Sequence, residues 1–283
     1  MTDNDTRIGF IGGGNMAHAI AGGLLNAGHR ASCLHVSDPS DEQLRRIRRL
    51  NADIGTGSNN AATLSNADVL VLAVKPQILQ EVAGPLRDML RPDGQVLISI
   101  AAGVTLAALT AEMTPSRSIV RVMPNQPALV GAGMSVLTAT PETSDRQRAL
   151  AQYVAESTGQ AEWIEDEALM DAVTAVSGSG PAYFYLLMEL IEQSARELGL
   201  PHPLARVLTR QTAFGAGRVA VESELELSAL RESVTSKGGT TAAALATFDE
   251  AGIHDIVSRA LRVARDRSVE LGAEASQTRR ESD

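Results

Sequence analysis

The spacing of apolar residues along this chain changes character near residue 165. Before that point, short apolar runs recur between segments of helical spacing. Arg7-Ile8-Gly9-Phe10-Ile11 is the first run, Cys33-Leu34-His35-Val36 the second and Val69-Leu70-Val71-Leu72-Ala73-Val74 the next. Val96-Leu97-Ile98-Ser99-Ile100, Ser118-Ile119-Val120-Arg121-Val122-Met123 and Met134-Ser135-Val136-Leu137 follow. Runs with so little polar interruption are what parallel strands buried on both faces require. Between them, residues 19–25, stopped by Gly28, and residues 41–50 read as helices. Strands alternating with helices predict an α/β fold, a Rossmann-type doubly wound parallel sheet over residues 1–165.

From Asp166 onward the strand pattern stops, and helices are predicted at 182–198, 204–221, 228–233, 241–249 and 253–271. The first contains Tyr183-Phe184-Tyr185-Leu186-Leu187-Met188-Glu189-Leu190-Ile191, preceded by Pro181 and followed, past its end, by Gly199. A helix apolar on nearly all sides must be buried. A domain of this size struggles to bury one alone, so residues 166–272 are expected to form an all-helical dimerisation domain. The polar, charged segment 273–283 is expected to be a disordered tail.

Candidate chemistry gathers in loops. The first apolar run leads into Gly12-Gly13-Gly14-Asn15-Met16-Ala17, a G-x-G-x-x-A pattern followed by a helix. Strand, glycine loop and helix come in the order a dinucleotide site requires. Gly12 allows the tight turn, Gly14 lets a pyrophosphate approach the backbone, and Ala17 keeps helix and strand close. Ligands of such sheets lie at the carboxyl ends of the strands. Those ends carry Ala73-Val74-Lys75-Pro76, Ala101-Ala102-Gly103 and Pro124-Asn125-Gln126-Pro127. The second strand ends in Val36-Ser37-Asp38-Pro39-Ser40, with Arg45 and Arg46 beyond. An acidic residue there suits the ribose of NAD, whereas Ser and Arg suit the 2′-phosphate of NADP. Asp38 equally suits a turn with Pro39. The residues leave the cofactor open.

A second loop, Ser233-Val234-Thr235-Ser236-Lys237-Gly238-Gly239-Thr240-Thr241, runs into Ala242-Ala243-Ala244-Leu245. It reads as a tight turn feeding a helix with Thr as N-cap. Unpaired N–H groups at a helix start, approached across glycine, form a seat for a carboxylate or phosphate. The alternative is a cap that binds nothing.

Composition narrows the field. The net charge of −9 and the pI near 5.1 argue against nucleic acid or an anionic membrane surface as partner. Cys33 is the single cysteine, which suits a reducing cytoplasm, and Met1 to Asp5 lacks the regions of a signal peptide. One Cys and five His in no ligand spacing predict no metal. Of 25 basic residues only two are lysines, Lys75 and Lys237, and both fall in these loops.

Taken together, these residues resemble the pyrroline-5-carboxylate reductase family over nearly the whole chain. The likeness lies in residues 10–17, Ala73-Val74-Lys75-Pro76-Gln77, Arg121-Val122-Met123-Pro124-Asn125, Ser177-Gly178-Ser179-Gly180-Pro181-Ala182-Tyr183 and residues 230–249. The last segment is similar to the family signature, which usually has Pro where this chain has Lys237. That exchange frees a backbone N–H and adds a cation beside the anion seat. The resemblance implies hydride transfer from NAD(P)H to C5 of 1-pyrroline-5-carboxylate, giving L-proline. NADP(H) is the family default and NAD(H) the alternative. It also implies a homodimer with interlocked helical domains, often assembled into a ring. The active site would combine the nucleotide domain of one chain with the signature loop of the other.

Carried over residue by residue, the resemblance makes Thr241 the hydroxyl nearest the imine nitrogen. The N–H groups of Gly239, Thr240 and Thr241 would seat the substrate carboxylate, with Ser236, Lys237 and Gly238 forming the loop. Glu224 matches a family carboxylate near the substrate nitrogen, and by pattern alone it is equally one solvated acid among Glu222, Glu224 and Glu226. Gly180 belongs to a pocket floor over residues 177–181. On the cofactor side the expected contacts are Gly12, Gly14, Asn15, Met16, Ser37, Asp38, Asn60 (with Asn59 beside it), Ala73, Lys75, Pro76, Ala101 and Asn125. A β-hydroxyacid dehydrogenase would need a general base, usually a lysine on the long helix of the second domain. Residues 182–198 contain none. A non-catalytic NAD(P)H sensor would have no use for the second anion loop.

Overall fold

The apolar runs become the strands of one sheet. A computed structural model describes residues 4–91, 94–113 and 117–280, with side chains as far as 274. The strands are β1 (Ile8–Ile11), β2 (Leu34–Ser37), β3 (Gly55–Gly57), β4 (Val69–Leu72), β5 (Val96–Ser99), β6 (Ile119–Met123), β7 (Gly133–Ala139) and β8 (Gly159–Trp163). They lie in the order β3-β2-β1-β4-β5-β6-β7-β8. β1, β2, β4, β5 and β6 are parallel, as predicted, and β3, which no apolar run announces, joins them parallel to β2; β7 runs antiparallel to β6, and β8 pairs parallel with β7. The chain turns back after β6 through Gln126–Val130, closed by Gly131 in the left-handed region, without a crossover helix.

Strand periodicity divides the core between the two faces of the sheet. Ile8, Phe10, Val69, Val71, Val96 and Ile98 point to one side, where α1 (Asn15–Asn26) lies. Ile11, Leu70, Leu72, Leu97 and Ile119 point to the other. α2 (Asp41–Arg48), capped by Ser40, contributes Ile47 to the first face, and α3 (Asn60–Asn66), capped by Asn59, contributes Leu64 to the second. α4 (Leu79–Ala83) and α5 (Leu106–Met113) complete the second face. α6 (Asp145–Glu156), opened by a capping box of Ser144 and Gln147, completes the first.

The chain divides into two compact units, Met1–Ser179 with Ala264–Asp283, and Gly180–Val263. The expected boundary at 165–166 marks where strands end, but tertiary bonds extend the first unit. Glu167 pairs with buried Arg121 at 2.7 Å, and α7 (Met170–Val173) receives a bond at Asp171 from Ser268 Oγ at 2.6 Å.

The second unit holds α8 (Gly180–Glu197), α9 (His202–Glu222), α10 (Leu227–Ser233), α11 (Thr240–Glu250) and the start of α12 (Ile253–Arg280). α12 corrects the expected tail: the helix continues through residues 273–280. Ala, Glu, Gln and Arg are good helix formers, and Arg267 pairs with both Glu270 and Glu274. Residues 281–283 lie outside the described set. Among the described residues no helix is long and apolar enough to cross a membrane.

Candidate active site

The glycine loop after β1 lies at the point where strand order reverses, between β2 and β4. Gly12 has φ +99°, and a Cβ there would stand 2.6 Å from the carbonyl oxygen of Ala73, so only glycine fits. Its N–H donates to Ser37 O at 2.8 Å. Gly14 caps α1 without a side-chain bond, and the space over its Cα is open to 4 Å. Exposed Asn15 and half-buried Met16 follow, and buried Ala17 packs the helix onto the sheet. The first N–H groups of α1 therefore face an open cradle that suits a pyrophosphate.

Asp38 is half-buried and turned into the protein. Oδ2 accepts from Gly13 N at 2.7 Å and Oδ1 from Ser40 N at 2.8 Å. The turn role and the loop role thus share one carboxylate. Arg46 reaches the same loop, donating to Asn15 Oδ1 at 3.0 Å. Ser37, expected among the cofactor contacts, is fully buried. Its hydroxyl donates to Asn60 Oδ1 at 2.6 Å, so it orients Asn60 rather than facing solvent. The cause is strand register: Ser37 is the last residue of β2 and faces α3, while Asp38, one position on, points the opposite way toward the glycine loop. A hollow of about 460 Å³ opens beside Asn60, walled also by Ser58, Glu81, Pro85 and Leu86. No sequence signal pointed to the last three.

The other strand ends differ among themselves. Ala73 and Pro76 are half-buried, and Lys75 is exposed. Ala101, expected among the cofactor contacts, is only 3% exposed and belongs to the second core, and Ala102 is the exposed residue at that edge. At the end of β6, Asn125 also faces inward. Its Nδ2 donates to Ser177 O at 3.2 Å and to Ser177 Oγ at 3.3 Å, and its Oδ1 accepts from Met134 N at 2.9 Å. Asn125, expected among the cofactor contacts, thus spends both ends of its amide on the protein.

In the helical unit the turn forms as predicted, with one correction. Gly239, not a threonine, is the N-cap of α11, and Thr240 and Thr241 are its first two residues. Gly238 has φ +73°. Gly239 N donates to Ser236 O at 3.0 Å, and a Cβ there would displace the Ser236 hydroxyl. Nearby hydroxyls are spent on carbonyls, Thr235 on Arg231 and Ser233 on Leu230. Those of Thr240 and Thr241 make no such bond. Half-buried Thr241 thus offers a donor beside unpaired helix N–H groups, with Lys237 exposed alongside. Glu224 lies exposed in the link between α9 and α10, with no ion-pair partner among the described residues, whereas Glu222 pairs with Arg218 at 2.7 Å. Gly180 is buried as the first residue of α8. Among the described residues, no group of three or more His, Cys, Asp or Glu is placed to hold a metal ion.

The faces of α8 and α9 remain apolar and uncovered. Phe184, Leu187 and Ile191 line a groove of about 770 Å³ with Leu208, Ala213 and Leu227.

A glycine cradle at the switch point of a parallel sheet, with a helical unit carrying its own anion seat, defines an NAD(P)H-dependent oxidoreductase. Residues 7–103 match a family model described as NADP oxidoreductase coenzyme F420-dependent, and residues 167–271 match one described as pyrroline-5-carboxylate reductase dimerisation. The pyrroline-5-carboxylate reductase of Haemophilus influenzae is 45% identical over 265 residues, covering 93% of this chain and 97% of that protein. A solved pyrroline-5-carboxylate reductase from Coxiella burnetii superposes with a TM-score of 0.91 at 37% identity, covering 94% of this chain and 98% of that one. The pyrroline carboxylate reductase of Plasmodium falciparum, solved with NADP bound, gives 0.82 at 29% identity, covering 94% and 98%. This chain belongs to the pyrroline-5-carboxylate reductase family. Its dimerisation region accounts for the uncovered apolar helices, and the protein is a homo-oligomer.

Proposed function

We propose that this protein reduces 1-pyrroline-5-carboxylate to L-proline, the last step of proline biosynthesis. NADPH is the preferred donor and NADH the second. The observation that carries the reading is the seat at Thr240-Thr241 behind the Gly239 cap, where the first N–H groups of α11 and two unspent hydroxyls stand together. It suits a small substrate bearing a carboxylate and a neighbouring hydrogen-bond acceptor.

The nicotinamide, when bound, supplies a hydride to C5 of the ring, and one proton goes to nitrogen, so the C=N bond becomes CH–NH. A protonated cyclic imine is already electrophilic, and positioning carries most of the work. The loop from Ser236 through Gly239 presents the N–H groups of Thr240 and Thr241 to the carboxylate, while the Gly239 N–H closes the turn on Ser236 O. Thr241 Oγ1 donates to the nitrogen of the neutral imine, which takes its one proton there with water as the ultimate source. Glu224 stabilises the iminium charge, and Gly180 forms part of the floor. On the other side Gly12, Gly14, Asn15 and Met16 hold the pyrophosphate. Asn60 and the hollow beside it take the adenosine end, with Asp38 at the rim. Ala73, Lys75 and Pro76 flank the nicotinamide half.

The working assembly in this reading is a homodimer with interlocked helical domains, built further into a ring, so that each site draws on two chains. A cytoplasmic setting agrees with a single cysteine in 283 residues.

The test is oxidation of NADPH and NADH followed at the nicotinamide absorbance, with and without the imine. Oxidation that requires the imine and yields proline supports the reading. Binding of both cofactors without imine-dependent consumption overturns it.

A further inference from the structure

We propose that Asn125 is a positioning residue for hydride transfer, holding the turn at Ser177 against the end of β6 instead of binding the cofactor. The proposal rests on the reductase reading above. Met134 N is only a donor, so it fixes the amide of Asn125 with oxygen toward Met134 and nitrogen toward Ser177. The Nδ2 bonds then go to the carbonyl and the hydroxyl of Ser177.

Ser177 sits in a π-helical segment, Thr174–Gly178, within which Ser179 N reaches back five residues to Thr174 O at 2.8 Å. Such turns are rare and frequently lie at functional sites. A second contact supports this one. Gly178 lies against Met123, where a Cβ would stand 2.5 Å from the Met123 methyl carbon. Two residues of one strand end, Met123 and Asn125, thus grip two consecutive residues of the turn. The chain continues through Ser179 into Gly180 and α8, the segment assigned to the pocket floor. Loosening Asn125 frees the turn at 174–178, and with it the start of that floor, from the end of β6. A misplacement of about 1 Å costs roughly 100-fold in rate.

Asn125→Asp keeps the shape and the bond from Met134 but turns an acceptor toward the Ser177 carbonyl. We expect kcat to fall about 100-fold. The NADPH dissociation constant, read by nicotinamide fluorescence, and the KM for imine should stay within about twofold. Amide hydrogen exchange over residues 174–180, measured on the protein without substrate, should accelerate. Ser177→Ala removes one acceptor only and should lower kcat about threefold. It decides the matter if Asn125→Asp does not fold, because unchanged kcat and exchange would then overturn the proposal. A loss of NADPH affinity in step with kcat means direct cofactor contact and also overturns it, as does unchanged kcat in folded Asn125→Asp. Exchange is read without turnover. A wild-type protein that oxidises no cofactor with imine therefore fails the reductase reading, while unchanged exchange in the variants fails this one.

Discussion

The peptide nitrogen of Gly13 donates to Asp38 Oδ2 at 2.7 Å, tying the end of β2 to the glycine loop that follows β1. The other carboxylate oxygen accepts from Ser40 N, so one side chain fixes both the loop and the turn. Asp38 therefore acts on the shape of the cradle before it acts on any ribose. Asn at this position keeps one acceptor and loses the charge. Charge-assisted bonds are worth roughly 1.5–3 kcal/mol, and about half of that is at stake. Asp38→Asn should raise KM for NADPH and NADH alike, about 3- to 10-fold. A loss confined to NADH would show instead that the carboxylate serves the ribose 2′-hydroxyl.

Thr241 occupies the second position of a helix capped by Gly239. Its hydroxyl is not needed for the cap, so chemistry and stability separate at this residue. Thr241→Val keeps the shape and deletes the donor. The expected loss in kcat/KM for the imine is about 100-fold, the range seen when a donor to developing charge is removed. Thr241→Ser should retain most activity, and the thermal midpoint should hardly move in either. Equal losses in Val and Ser variants would place the effect in the methyl group and remove the hydroxyl from the mechanism.

Much of this architecture is legible in the chain itself. Apolar runs with little polar interruption mark β1, β2, β4, β5 and β6 because burial on both faces leaves little room for polar residues. β3 is Gly55-Thr56-Gly57 and carries no such mark; it forms because Arg48 Nε, His35 and the edge of β2 hold it. β8, Gly159-Gln160-Ala161-Glu162-Trp163, alternates in the manner of an edge strand but is too short and polar to stand out. The dinucleotide loop was readable as a motif. Which way its neighbours face was not, since Ser37 and Asp38 differ only in strand register. The bond between Asn125 and Ser177 joins residues 52 apart and had no local signal. Neither did the pairing of Arg121 with Glu167, which keeps the last part of the first unit on the sheet.

His35 gives the fold a pH dependence. Burial holds its pKa below the ordinary imidazole value, and Nδ1 lies 2.7 Å from Thr63 Oγ1. His18 is lowered as well, first by burial and then by the charge of Arg46. The unfolded chain takes up these protons first, at about pH 6.5. The stability from keeping the rings neutral is therefore complete above that value and is lost as pH falls from there through the folded pKa. The thermal midpoint should drop between pH 7.5 and 5.5. In His35→Gln the drop should shrink, leaving the part due to His18. An equal drop in that variant would assign the dependence to other groups.

The uncovered helix α8 carries the last prediction. Phe184 is 67% exposed and Leu187 46% in the single chain, both within the region that matches the dimerisation model. Fully burying such a side chain contributes roughly 1.5–3 kcal/mol, and an unpaired carboxylate in its place costs more than that. Leu187→Glu should therefore shift sedimentation toward the monomer and make the thermal midpoint depend steeply on protein concentration. Met89→Glu, an exposed apolar position outside residues 167–271, is the matched control and should leave assembly intact. If each site draws on two chains, imine-dependent oxidation should fall with the dimer fraction and recover as concentration rises. Full specific activity in a dilute, monomeric Leu187→Glu sample would instead mean that one chain holds the whole site.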